Sequence, residues 1–344
     1  MRYGQAAVTL LILVAGLVSF AGTAQAQSCG GSAGPSLGAG AAAEGPWLKE
    51  GKGTARLSAE YEVRDETFKG KDEVPNDFDE SVFITRVALE IRYGITDDWT
   101  ASVTPTYPHF TYRLKPPGGE RVKQVFRGPG DTLVALGRRL MGSEAAPAAP
   151  CEVDTPAEGG PMLFHEKEEP PRPWSLALWG GVSLPTGTPE EPNPAVVTSD
   201  VTVANLQTGT GTFDPFLRAR IDWEPATTWS AFAEASLLYP LYENRFDYRT
   251  ADSESLVVGA SVPLVKRFSG SLSLMWQRVG TDEFEGEDVG VGGAQWIYVV
   301  PGLGWQITDS LFLDASVRLP LWRHTETKLA DSNAIWQAGL TFYF

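Results

Sequence analysis

The chain has 344 residues, 28 basic against 43 acidic side chains, a formal net charge of −15 and a sequence pI of 4.7. That balance excludes the basic patch a nucleic-acid binder needs. A mean hydropathy of −0.15 is too polar for a bundle of membrane helices, and no stretch reaches the roughly 20 apolar residues of a helical span.

Taken in chain order, residues 1–26 read as a secretory signal: Arg2 gives a positive start, Val8 to Val18 is apolar apart from Thr9, and Ala24-Gln25-Ala26 is a small-x-small cleavage site. Residues 27–52, rich in Gly, Ala and Ser, read as a flexible periplasmic lead-in. An exported chain without membrane helices can still enter a membrane as a closed sheet, because helices and barrels alone satisfy their backbones in lipid.

Strand patterning begins at Gly53. Ala55, Leu57, Ala59, Tyr61 and Val63 alternate with Arg56, Ser58, Glu60 and Glu62. This period of two puts one residue set on each face of a strand. The pattern returns with Phe83, Thr85, Val87, Leu89, Ile91 and Tyr93 on one face and Arg86, Glu90 and Arg92 on the other. A third strand opens at Trp99, followed by Ala101 and Val103. Further strands are expected near 131–140, 174–184, 213–223, 229–239, 254–263, 270–279, 295–305, 311–321 and 333–344. The expectation is an all-β, transmembrane antiparallel β-barrel of about 12 strands over residues 53–344.

Connector lengths alternate as well. Segments 95–98, 224–228, 264–269 and 306–310 are short, whereas 65–80, 114–128, 185–212, 240–252, 280–294 and 322–332 are long and polar. Short periplasmic turns and long outer loops are the barrel pattern. One turn breaks it: residues 141–173 form a Pro-rich insertion on the periplasmic side. It holds Cys151, and the other cysteine, Cys29, lies in the lead-in. Both fall in an oxidising compartment, so a disulfide and two free thiols are equally open.

The closing stretch places Ala334, Trp336, Ala338, Leu340, Phe342 and Phe344 on one apolar face. Its residues Gln337, Gly339, Phe342 and Phe344 resemble the closing-strand assembly signal of bacterial outer-membrane barrels. On that reading 333–344 pairs with 53–63, with Phe344 at the periplasmic rim, Trp336, Leu340 and Phe342 against lipid, and Gln337 and Gly339 inward.

Chemistry along the chain is sparse. His109, His165 and His324 have no metal-ligand spacing, and no nucleophile elbow, phosphate loop or dinucleotide fingerprint is present. No enzyme and no cofactor is expected; a hydrolase sited on the rim at His109 or His324 is a distant alternative. The acidic run Asp282, Glu283, Glu285, Glu287 and Asp288 carries oxygens that could hold a divalent ion, but its spacing fits no calcium loop and a solvated loop tip is the favoured reading.

Alternation sends Arg56, Glu60, Glu62, Arg86, Glu90, Arg92, Arg218, Arg220, Asp222, Glu234, Asp314 and Arg318 into the lumen. Such a set either lines a solvated channel and sets its selectivity, or pairs across the lumen and closes it.

Gly128-Pro129-Gly130-Asp131, Leu184-Pro185-Thr186-Gly187, Gly209-Thr210-Gly211-Thr212-Phe213-Asp214-Pro215, Asp247-Tyr248-Arg249, Val300-Pro301-Gly302-Leu303 and Leu319-Pro320-Leu321 follow one another along residues 128–344. Together they resemble the MetA-pathway phenol-degradation family of outer-membrane proteins, apart from the 141–173 insertion. The resemblance implies passive uptake of small organic solutes, aromatic or otherwise apolar, through an outer-membrane channel. The partners expected of such a protein are outer-membrane lipid and lipopolysaccharide, the barrel-assembly machinery and the solute. The alternative is a structural or surface-interaction barrel with a closed lumen.

Overall fold

The computed structural model describes residues 47–77, 79–115, 118–142, 174–187, 208–226, 229–265 and 267–344. The signal segment, Cys29, Cys151, His165 and nearly all of the 141–173 insertion lie outside the described residues. Twelve strands form one antiparallel sheet that closes on itself. They are β1 (Gly53–Arg64), β2 (Ser81–Thr96), β3 (Trp99–Thr104 and Thr106–Leu114), β4 (Val122–Arg127 and Thr132–Met141), β5 (Trp174–Leu184) and β6 (Asp214–Ala226). The circuit continues through β7 (Trp229–Leu238), β8 (Ser253–Val265), β9 (Phe268–Phe284), β10 (Glu287–Thr308), β11 (Leu311–Asp331) and β12 (Ile335–Tyr343). Each strand pairs with its neighbours in sequence, and β12 pairs back onto β1 from Thr54 opposite Tyr343 to Glu62 opposite Ile335.

The alternation that builds the strands also sorts their faces. On β1 the inner residues Thr54, Arg56, Ser58, Glu60, Glu62 and Arg64 are buried, while Leu57 and Tyr61 are each 39% exposed on the outside. The same outward exposure holds for Leu89 and Ile91 on β2, Leu217 and Ile221 on β6, Leu256 and Val258 on β8, and Leu272 and Leu274 on β9. A surface this apolar all the way round is tolerated in lipid and not in water. Two aromatic belts border the band, as the membrane interfaces favour. Tyr93, Trp174, Trp223, Phe268, Trp305 and Phe344 lie at the short-turn end, and Tyr61, Tyr107, Phe213, Tyr239 and Trp336 lie toward the long-loop end.

Several expected loops are not loops. Strands β9, β10 and β11 run on through most of 280–294 and 322–332, so the sheet stands well above the lipid band there. Part of 114–128 is likewise strand, Val122–Arg127, and 65–80 contains a small hairpin, Glu66–Gly70 with Asp72–Val74, that pairs onto β11. Above the lipid a strand needs no outward apolar face, so the period-two signal fades while the hydrogen-bond ladder continues.

Candidate functional site

The lumen carries two groups of buried charged side chains. From β11 across β12 to β1 and β2, ion pairs step along the wall. Arg56 Nη2 meets Asp314 Oδ2 at 2.8 Å, and Glu60 accepts from both Arg86 and Arg318. Arg64 Nε donates to Glu62 Oε1 at 2.6 Å, and Ser332 Oγ adds a bond to that oxygen at 3.2 Å. Arg92 Nε lies 3.9 Å from Glu90 Oε2. The Arg56–Asp314 pair passes over β12 at Gly339, where an added Cβ would stand 2.5 Å from Arg56 Nη2 and 2.7 Å from Asp314 Oδ1. Gly339 therefore shapes the lumen: its missing side chain lets two strands that are not neighbours share a salt bridge. Gln337, on the same inner face, is buried with neither side-chain polar atom hydrogen-bonded.

Strands β6 and β7 lie half the circuit away from β12 and β1. They carry a second group: Arg220 Nη2 to Asp222 Oδ1 at 2.7 Å, Arg220 Nη1 to Glu234 Oε2 at 3.2 Å, and Arg218 Nε 3.5 Å from Glu234 Oε1. Among the described residues no ion pair joins the two groups. Within each group the pairs run along the wall, between side chains of the same or nearby strands. Between the two groups, β8 to β10 present an apolar inner face of Val257, Met275, Trp296, Tyr298 and Val300.

The lead-in departs from expectation where it is described. Residues 47–52 do not hang free in the periplasm but turn into the barrel mouth. Gly51 N donates to Gly94 O at 3.0 Å, Gly94 N to Lys52 O at 2.9 Å, and Glu50 N to Asp97 Oδ1 at 3.1 Å. Gly94 faces inward, and a Cβ there would sit 2.2 Å from Lys49 O, so only glycine lets the segment through. Beyond this turn Trp47 lies 6% exposed inside the barrel, among Leu133, Ala135, Ala177, Trp179, Phe216 and Leu238. Its ring stacks on Trp179 with centroids 5.5 Å apart and planes 11° from parallel. A solitary tryptophan after a Gly- and Ala-rich run was the available sequence signal, but it has no periodicity to place it.

The acidic run is split by the fold. Glu285 and Gly286 form the exposed hairpin tip with positive φ values of 53° and 78°. Glu283 pairs with Arg249, while Asp282 is fully buried, so the run is not uniformly a solvated loop tip. Tyr248 Oη and Ala251 N both donate to Asp282. Among the described residues no group of three or more His, Cys, Asp or Glu is placed to hold a metal ion. The outer face of β9 is already charged below this level, where Arg278 bonds Asp252, so Asp282 stands outside the lipid.

Burial pushes the Asp282 carboxyl up to about 7 against the opposing pull of its two hydrogen bonds. A folded value above the unfolded one of about 4 favours the protonated acid in the fold. Its stabilisation is complete below about pH 4 and is lost as the pH rises through about 7. Protease resistance of the β9–β10 hairpin is therefore expected to fall across that window in the native chain. In Asp282→Asn, which mimics the neutral acid, it should stay level; a native profile that is already flat refutes the assignment.

His109 sits on the outer face of β3 with Nε2 buried and unbonded, and His324 stacks on Trp322 with centroids 6.2 Å apart. Among the described residues neither ring is hydrogen-bonded to a serine or a carboxylate.

No protein-family profile matches the chain, and no curated protein matches it. Solved structures do. The chain is similar to the COG4313 outer membrane channel from Pseudomonas putida F1, with a TM-score of 0.60 at 13% identity, covering 88% of this chain and 99% of that one. It is less similar to the NanC porin, TM-score 0.42 at 7% identity over 84% of this chain and 98% of that one. The CymD monoaromatic hydrocarbon channel gives a TM-score of 0.39 at 7% identity over 93% and 98% of the two chains. At such identities the first likeness speaks for the fold alone, and with the closed sheet and its lipid-facing band it makes this chain a twelve-stranded barrel of the outer membrane.

Proposed function

We propose that the protein is an outer-membrane channel for passive uptake of small organic solutes, aromatic or otherwise apolar, held closed in this state by residues 47–52. The observation that carries the reading is the seating of Trp47. The ring buried inside the barrel against β4 to β7 comes from a segment outside the barrel wall, tied in by a few backbone hydrogen bonds at Gly94 and Asp97. Such a stopper can leave without breaking any strand pairing. An apolar wall on β8 to β10 flanked by charged walls suits solutes with an apolar body and a polar group, since an apolar pocket with few polar groups both binds and orients. The family resemblance along 128–344 agrees with organic cargo.

The rival reading, a structural barrel with a closed lumen, draws on the paired charges. Planar-bilayer recordings separate the two. The native protein should show small, intermittent currents, and Trp47→Gly should raise the mean conductance at least severalfold. Silence from both proteins at every voltage and with every added solute would favour the structural barrel and overturn the proposal.

A further inference from the structure

The inner surface that receives Trp47 is built as a shelf for a flat ring. Trp179 on β5 lies directly opposite Gly137 on β4. A Cβ at Gly137 would come within 2.4 Å of the Trp179 ring. With glycine there, the indole lies flat over the neighbouring strand and turns its other face to the lumen. Trp47 covers that face in near-parallel stacking, a geometry aromatic pairs favour. Yet Trp47 is an imperfect occupant, for its Nε1 is buried without a hydrogen-bond partner.

On the far side of Trp179, directly opposite in the β5–β6 register, is Arg218. Its Nε is also buried and unbonded, although Glu234 Oε1 lies 3.5 Å away. The strand position opposite the shelf thus carries a guanidinium, set over the Phe216 ring, whose Nε–H has donor capacity to spare. A buried donor left unpaired costs free energy that a suitable acceptor would recover.

We infer that the Trp179 shelf is a binding site for a planar aromatic solute carrying a hydrogen-bond-accepting oxygen, and that Trp47 is its resident self-ligand. The inference rests on the channel reading and names the cargo class and the station it occupies. The solute ring takes the place of the Trp47 indole on Trp179, and its oxygen accepts from Arg218. Because the solute must displace a tethered indole, its apparent affinity in the native protein is reduced by the fraction of time the shelf stands empty.

Calorimetry on the full-length, detergent-solubilised barrel tests this with benzoate and cyclohexanecarboxylate as probes, folding being checked for each variant by its heat-modifiable band. Benzoate should bind Trp47→Gly about tenfold or more tighter than the native protein, as expected once the competing stack is gone. Cyclohexanecarboxylate, equal in charge but not flat, should bind at least about tenfold more weakly than benzoate, because it cannot stack. In the Trp47→Gly background, Trp179→Leu keeps apolar bulk and should abolish the preference for benzoate. Arg218→Met in that background should weaken benzoate by about tenfold, the cost of one charge-assisted bond. Equal benzoate affinity in native and Trp47→Gly protein overturns the self-ligand. Equal binding of both probes, or benzoate binding that survives Trp179→Leu or Arg218→Met unchanged, overturns the shelf. These are binding measurements: silent bilayers with the expected affinities would defeat the channel reading alone, and open channels without them would defeat this inference alone.

Discussion

Deleting Phe344 is expected to reduce the folded, heat-modifiable band in outer membranes by about tenfold or more, whereas Glu285→Ala leaves it near the native level. The seam between β12 and β1 ends on this residue. Gly53 N donates to Phe344 O at 2.8 Å, and Phe344 N donates to Gly53 O at 3.0 Å. The ring stacks against Phe342 with centroids 6.1 Å apart and lies over Gly53, where a Cβ would stand 2.3 Å from it. Removing Phe344 strips two backbone bonds and an interfacial aromatic from the junction that closes the barrel. A seam that frays from this end leaves backbone groups unpaired against the hydrocarbon, at a cost of several kcal/mol each. Glu285 sits exposed on a hairpin tip outside the membrane, and its loss touches no seam. Equal assembly of the two variants would refute the role assigned to the β12–β1 closure.

The second large effect lies in the lumen. Glu60→Leu should destabilise the barrel by about 3–5 kcal/mol, the range for removing one partner of a buried ion pair. Glu60 is the shared acceptor of Arg86 and Arg318, and Arg318 is itself buried. Without it two guanidiniums remain inside the wall, with Glu62 4.0 Å from Arg86 Nη1. Urea unfolding in detergent, followed by the gel shift, gives the measurement. Adding Arg318→Met to Glu60→Leu should recover part of the loss, because it removes one stranded charge. A single-variant loss below about 1 kcal/mol would show that the lumen is solvated well enough to answer the cations itself.

Within the lipid band, the strands and their faces were legible from the residues alone. Alternation is a local property: a period of two assigns each side chain to one surface whatever the neighbouring strand does. Ala55 to Val63, Phe83 to Tyr93 and Trp336 to Phe344 could thus be sorted without knowing a single contact, and lipid outside the barrel made the apolar set easy to see. Strand number and closure followed from the same alternation together with the rhythm of connector lengths.

Tertiary structure decided everything that depends on the stagger between strands. That Arg56 reaches over Gly339 to Asp314, or that Arg318 and Arg86 share Glu60, follows from the closed sheet's register and is not encoded within any one strand. Above the lipid the outward face of β9 to β11 no longer has to be apolar, so Asp282 resembled a loop acid although the hairpin buries it beside Tyr248. Trp47 was the least legible of all. It belongs to no strand, so no periodicity acts on it, and its place against Trp179 exists only because the barrel bends residues far apart in the chain around one lumen.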